Sequence, residues 1–242
     1  MASILPSIPQ QMKEVFVRIE RKFLSTIDLG RLDSLHPIST SFGNDRGQPI
    51  DRYYIEDFLS QHKNDIYGRV LEIGDNTYTR NFGGNKVEQS DILHVKGTPS
   101  ATIVADITRA DNIPSNTFDC IILTQTLQFI YDLPSAISHL HRILKPGGVL
   151  LATMPGISQI SRYDMDRWGE FWRFTTQSAQ QLFEKEFTEK NVQVRAYGNV
   201  LIATALLHGL AVEELKPEYF RYQDPDYQVL ITVRAVKSQA GN

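Results

Sequence analysis

Residues 119–156 read DCIILTQTLQFIYDLPSAISHLHRILKPGGVLLATMPG. Asp119 to Thr124 is a short apolar run with the length of a buried strand. Pro134 to Leu144 follows as helical sequence, and Lys145-Pro146-Gly147-Gly148 reads as the turn that ends it. Val149 to Met154 is then a second buried strand. A strand, a crossover helix and a strand of the same character predict a parallel pair.

The same alternation extends outward. Arg69 to Ile73, Lys86 to Val95 and Ala101 to Ile107 are earlier strand candidates, and Val192 to Tyr197 and Tyr227 to Val236 are late ones. Helical sequence occupies Asp51 to His62, Thr176 to Glu186 and Val200 to Leu215. Met12, Val15, Phe16, Ile19 and Phe23 mark one face of a further helix over residues 10–28. The segment Val95 to Ser100 is too short for a crossover helix and predicts a loop. The expected fold is therefore α/β, a mostly parallel sheet of seven strands with helices on both faces plus an N-terminal helical segment. Residues 1–60 read as a helical lid or extension, 61–237 as the main domain with a substrate-side insertion at 156–175, and 238–242 as a tail.

The chain has 242 residues, of which 41% are hydrophobic and 22% charged, enough for an ordinary globular core. A net charge of −3 argues against a general basic field for nucleic acid. Cys120 is the only cysteine, so no internal disulfide forms, which fits a reducing compartment. The first residues lack the basic and apolar regions of a signal peptide. Val200 to Val212 is the longest nearly apolar stretch, too short to span a membrane. These features predict a cytoplasmic protein without a transmembrane segment.

Val70-Leu71-Glu72-Ile73-Gly74 is an apolar strand that ends in an acidic residue and a glycine, the way a doubly wound sheet opens a nucleotide crevice. The Glu72 carboxylate can meet a ligand cation or order the turn. Asp91 follows about 17 positions after Gly74, near where such folds place a ribose-binding carboxylate. The competing reading of Asp91 is a solvated carboxylate at a strand end. Asp106 closes the next strand.

On these residues the stretch Gly68 to Gly148 resembles the class I, Rossmann-like S-adenosylmethionine (SAM) dependent methyltransferases, especially their type 11 group. VLEIG at 70–74, the spacing of Ala105 to Asp132, and above all the R-x-L-K-P-G-G turn at Arg142 to Gly148 carry the resemblance. It implies SAM as cofactor, with Glu72 and Gly74 at its methionine end, Asp91 on its ribose, Asp106 and Ile107 beside its adenine, and Thr124 and Gln125 below the sulfonium. Lys145 to Gly148 is implied to be structural. One departure is Asn76, which stands where the family has its second glycine, although Asn tolerates left-handed backbone. Tyr53, with Tyr54 and Arg52, is a candidate for the cofactor's carboxylate or sulfonium. No metal ligand set is assigned.

For an oxygen nucleophile a base is needed when the hydroxyl is not acidic. His94, Asp164 and Glu170 are candidates, and Asp166 a further one. Trp168, Phe171, Trp172 and Phe174 form either a stacking wall for a ring or the insertion's own small core. YGNVLIATALLHGLAVEEL and DPDYQVLITVRAVK are similar to bacterial methyltransferases of polysaccharide assembly, which implies O-methylation of a sugar, a glycan or a secondary metabolite. The alternative is an inactive methyltransferase fold used as a binding module. A nicotinamide oxidoreductase is disfavoured, because Gly74-Asp75-Asn76-Thr77-Tyr78-Thr79 lacks the second and third glycines of G-x-G-x-x-G. A nucleic-acid methyltransferase is disfavoured by the acidic balance and by Leu123-Thr124-Gln125-Thr126 after the fourth strand.

Overall fold

The computed structural model describes residues 34–239. The helix expected over residues 10–28 lies outside them, as do residues 240–242 of the tail.

Strand β1 (Gly68–Ile73) starts a sheet continued by β2 (Val87–His94), β3 (Ile103–Val104), β4 (Phe118–Thr124), β5 (Leu144–Pro155), β6 (Val192–Tyr197) and β7 (Leu230–Val236). Their order is β3-β2-β1-β4-β5-β7-β6, seven strands in one sheet. The first five run parallel, and β7 lies antiparallel between β5 and β6. The chain direction across the sheet reverses between β1 and β4, which opens a crevice at the carboxyl ends of those strands.

Both faces of the sheet are covered. Leu71, Ile121, Leu123, Leu150, Ala152 and Val233 point to one buried cluster, with helices α2 (Leu133–Ile143) and α4 (Thr176–Phe187). Val70, Cys120, Ile122, Leu151 and Leu230 point to the other, with α1 (Ile50–Gln61) and α5 (Val200–Leu207). The residues of each face alternate along a strand, so a strand covered on both sides reads as a continuous apolar run. The remaining helix, α3 (Arg162–Trp168), lies in the expected insertion.

Several elements differ from their expected bounds. The expected turn at Lys145 to Gly148 is a bulge inside β5, where Phe118 pairs with Leu144 and Cys120 with Val149. Lys145 Nζ donates to Asp119 at 2.7 Å, and Gly147 holds φ +80°. A Cβ on Gly148 would stand 2.8 Å from the Lys145 carbonyl oxygen and 3.1 Å from that of Phe118, so this crossing needs glycine. Strand β3 is two residues long because Asp106 already caps the next turn by accepting from Thr108 N at 2.9 Å. Helix α5 stops at Leu207, well before Leu215. The backbone turns at Gly209, whose φ is +69°, against the Ser39 carbonyl. After β1 the crossover is a five-residue π turn and a 3-10 turn, Thr79 to Lys86, in place of a full helix.

The connection from α1 to β1 is pinned to β7 by Asp65. Arg234 donates from Nε at 2.8 Å and from Nη2 at 3.0 Å to its two oxygens. Burial alone would raise the Asp65 carboxyl, but the His62 ring 3.6 Å away and the hydrogen-bonded Arg234 guanidinium outweigh it and hold the group well below the usual carboxylate range. Folding therefore lowers this pKa, and the stabilisation is fully present above the unfolded value near pH ~4. It is lost as pH falls toward the folded value. For Asp65→Asn we expect a loss of about 1–2 kcal/mol at pH 7, reduced from a buried charge-assisted pair by partial exposure. Thermal melts of wild type and variant should converge as pH drops from 4 to 2. A gap that stayed constant with pH would refute the ion pair's contribution.

Candidate active site

A cavity of about 450 Å³ opens at the carboxyl ends of β1, β4 and β5. Glu72, Ile73, Thr124, Gln125 and Pro155 line it from the sheet. Asp51 and Arg52 line it from the first turn of α1, and Ser41, Phe42 and Asn44 from the loop before that helix. Ser158, Gln159, Ser161, Asp164 and Glu170 close it from the 156–175 insertion.

The turn after β1 is ordered from within. Glu72 is buried, and its carboxylate accepts from Tyr78 N at 3.1 Å, Thr79 N at 2.7 Å and Thr79 Oγ1 at 2.7 Å. Burial pushes its carboxyl above the usual range despite these donors. Gly74 has φ +87°, donates to Leu93 O at 3.0 Å, and a Cβ there would meet nothing within 4 Å. That open space beside bare backbone lets a ligand approach closely. Asn76 donates to Ser90 Oγ at 3.1 Å, tying the turn to β2.

At the end of β4, Gln125 holds φ +45°. A non-glycine residue in this region is strained, and such strain gathers at functional sites. Its N–H donates to Thr153 O at 3.0 Å. Gln128 Nε2 donates to Gln125 O at 3.0 Å and Oε1 at 3.2 Å, while Gln128 Oε1 is buried with no partner. Gln128 also lines the cavity and was missed in the sequence. Its signal there was only its place in QTLQ after the strand.

Long-range hydrogen bonds set the walls. Ile38 N and Ser39 N donate to His208 O, Val212 N donates to Gln48 O, and Arg46 pairs with Glu214, which holds the loop before α1 against the turn after α5. In the insertion, Glu170 accepts from Ser161 N at 2.9 Å and pairs with Arg173 at 2.6 Å. Asp164 Oδ2 accepts from Ser161 Oγ at 2.6 Å, and its Oδ1 has no hydrogen bond to the described residues. Phe171 N donates to Gln128 O at 2.8 Å, which joins the insertion to the end of β4.

Of the candidate residues, Glu72, Thr124, Gln125, Asp164 and Glu170 meet in this one cavity, with Gly74 in the turn beside it. Others lie elsewhere. Strand β2 runs past Asp91 to His94, so Asp91 is an interior residue paired with Leu71. It is spent on Arg69 Nε at 2.7 Å, Gln89 Nε2 at 3.0 Å and Thr102 Oγ1 at 3.0 Å, and it is neither solvated nor at the strand end. Asp106 is used as a cap, Ile107 is buried in the core, and Asn76 faces Ser90. Tyr53 packs on Tyr54 and Phe220, with ring centroids 5.3 and 4.5 Å away, and Arg52 takes the place facing the cavity. His94 stands outside the cavity, its ring edge-on to Trp168 at 6.1 Å with Lys96 Nζ 4.7 Å from the same indole. Phe174 is core, and Trp172 stacks on Tyr131 at the surface, so the insertion's aromatics do not wall the cavity.

The family model described as "Methyltransferase domain" matches residues 69–152. A SAM dependent methyltransferase from Archaeoglobus fulgidus superposes with a TM-score of 0.51 at 11% identity, covering 77% of this chain and 94% of that one. A putative sarcosine dimethylglycine methyltransferase from Galdieria sulphuraria gives 0.52 at 14% identity, covering 77% and 86%. The rat (Rattus norvegicus) protein arginine-hydroxylase NDUFAF5, mitochondrial, is 38% identical over 58 residues, which are 24% of this chain and 17% of that protein.

Because Asp91 is consumed by Arg69 inside the sheet, its substitution should act on stability. Asp91→Asn is expected to cost about 1–3 kcal/mol by leaving Arg69 without its charged partner. The affinity for S-adenosylhomocysteine (SAH) should stay within about twofold of wild type. A calorimetric titration showing a tenfold loss with an unchanged melt would return Asp91 to the ligand.

Proposed function

We propose that this chain, which has the fold of the class I SAM-dependent methyltransferases, transfers the methyl group of SAM to a small hydroxylated acceptor by O-methylation. A sugar or glycan is the favoured acceptor class, a secondary metabolite the next. The observation that carries the reading is the polar cavity at the reversal of strand order, where Gly74 leaves open space and Gln125 holds a strained backbone.

The residues present fit the cofactor. Gly74 offers backbone without a side chain, and Arg52 offers a guanidinium for a carboxylate. Bound there, SAM supplies a methyl group already activated on a sulfonium sulfur. The protein's share is then to hold the acceptor oxygen in line and to exclude water. Ser41, Asn44, Ser158, Gln159 and Gln128 present hydroxyls and amides, the groups that read a hydroxylated molecule. Among the described residues, Arg52 is the single basic side chain in a lining that holds five carboxylates, Asp51, Glu72, Asp75, Asp164 and Glu170, which disfavours an anionic acceptor.

Among the candidate bases, Glu170 has both oxygens occupied and His94 faces Trp168. Asp164 lines the cavity with one oxygen free, so it is the residue that takes the acceptor's proton. The second reading, a binding module without activity, is favoured by one observation. Strand β2 ends in His94, and Asp91 is tied up, so among the described residues no carboxylate stands at that strand end.

Calorimetric titration of SAM and SAH separates the two. Stoichiometric binding of both, with label transfer from methyl-labelled SAM to a member of a hydroxylated sugar panel, supports the enzyme. Absence of binding by either ligand would sink it. Asp164→Asn should lower transfer by about 10²–10⁴-fold with SAH affinity unchanged.

A further inference from the structure

Among the described residues, four buried side-chain atoms lack a hydrogen-bond partner: Asp51 Oδ1, Gln128 Oε1, Arg142 Nε and His208 Nδ1. Asp51 and Gln128 line the same cavity. Arg142 is otherwise satisfied, donating to Ile113 O at 2.8 Å and Ala110 O at 2.6 Å. Asp51 is the acid of the set, and a buried carboxylate oxygen without a donor is the most unfavourable kind of orphan.

Its position is enforced by the rest of its helix. Ile50, Tyr54, Ile55, Phe58 and Leu59 bury the core face of α1, so the first turn cannot rotate away from the cavity. Burial pushes the Asp51 carboxyl up, and the neighbouring Arg52 opposes that shift. Arg52 is held in turn by donating to Tyr78 Oη at 2.6 Å. The other carboxylates on this side accept from their own turn: Glu72 from Tyr78 N, Thr79 N and Thr79 Oγ1, and Asp75 through one oxygen from Thr77 N at 2.7 Å. Among the described residues, the cavity wall at the start of α1 thus carries a buried carboxylate oxygen without a donor beside a guanidinium. A ligand group that satisfies both is a zwitterion, an ammonium and a carboxylate on one carbon.

We propose that Asp51 anchors the α-ammonium of the cofactor's amino-acid end, with Arg52 on its carboxylate, in place of the acidic residue that ends β1. This rests on the reading of SAM as cofactor.

The test uses two adenosine ligands on the full chain by calorimetry. SAH carries the amino-acid end, and 5′-methylthioadenosine lacks it. Asp51→Asn should weaken SAH at least tenfold and change methylthioadenosine less than twofold. Without ligand the variant should melt no lower than wild type, because it removes a charge whose buried oxygen has no donor. On wild type, an SAH analogue without its α-amino group should bind at least tenfold more weakly than SAH, a measurement independent of the variant's folding. Unchanged SAH affinity in Asp51→Asn would overturn the anchor while leaving the cofactor reading intact. So would an equal loss for both ligands, or equal binding of the deaminated analogue to wild type. Failure of wild type to bind either adenosine ligand would overturn the cofactor reading and the anchor with it.

Discussion

Glu72 sits at the end of the first strand with both carboxylate oxygens inside the protein. Two backbone N–H groups and one hydroxyl of the following turn close on it. A buried carboxylate is tolerated only when donors satisfy it, so the turn from Gly74 to Thr79 has little freedom. That turn leaves open space beside the bare backbone of Gly74 and brings Tyr78 within reach of Arg52. The floor of the cavity and the position of the Arg52 guanidinium therefore depend on a single buried acid that is itself engaged in structure.

The consequence is a redistribution of roles. Glu72 gives three of its acceptor sites to its own turn, and the next acid along, Asp91, accepts from Arg69, Gln89 and Thr102 in the sheet. Charged groups outside the strands also line the cavity: Asp51 and Arg52 on α1, Asp75 in the turn after β1, and Asp164 on α3. The sheet supplies rigid placement, and loops and helix ends supply chemistry, as is usual for open α/β sheets. Gln125 belongs to both groups, since its strained backbone is held by Thr153 on the adjacent strand while its side chain meets Gln128.

The walls depend on contacts between distant parts of the chain. The loop before α1 reaches the cavity because Gly209 lets the Ser39 carbonyl come close and because Val212 N and Gln48 O join. The insertion reaches it because Phe171 N meets Gln128 O. Each is a pairing between residues tens of positions apart or more, and no local pattern announces it. The same holds for Cys120, whose thiol burial pushes far above its ordinary range and so keeps inert.

The amino-acid sequence alone determined the seven strands, the helices on both faces and the acid-then-glycine end of β1, because burial on two faces and strand-end chemistry leave periodic local marks. It also brought Glu72, Gly74, Asp164 and Glu170 forward by residue type and place after a strand, and Thr124 and Gln125 through the family resemblance, whose motifs are themselves local. The tertiary structure alone decided which carboxylates are free. Asp91 reads as a ligand residue by spacing and is a partner of Arg69 by register, because β2 runs on to His94. Tyr53 and Arg52 are neighbours in the chain, yet one is packed on Phe220 and the other faces the cavity, because helix phase is set by what the core accepts. Hydrogen-bond satisfaction is a property of the folded surroundings, and so the sequence could name the acids without telling the occupied ones from the free.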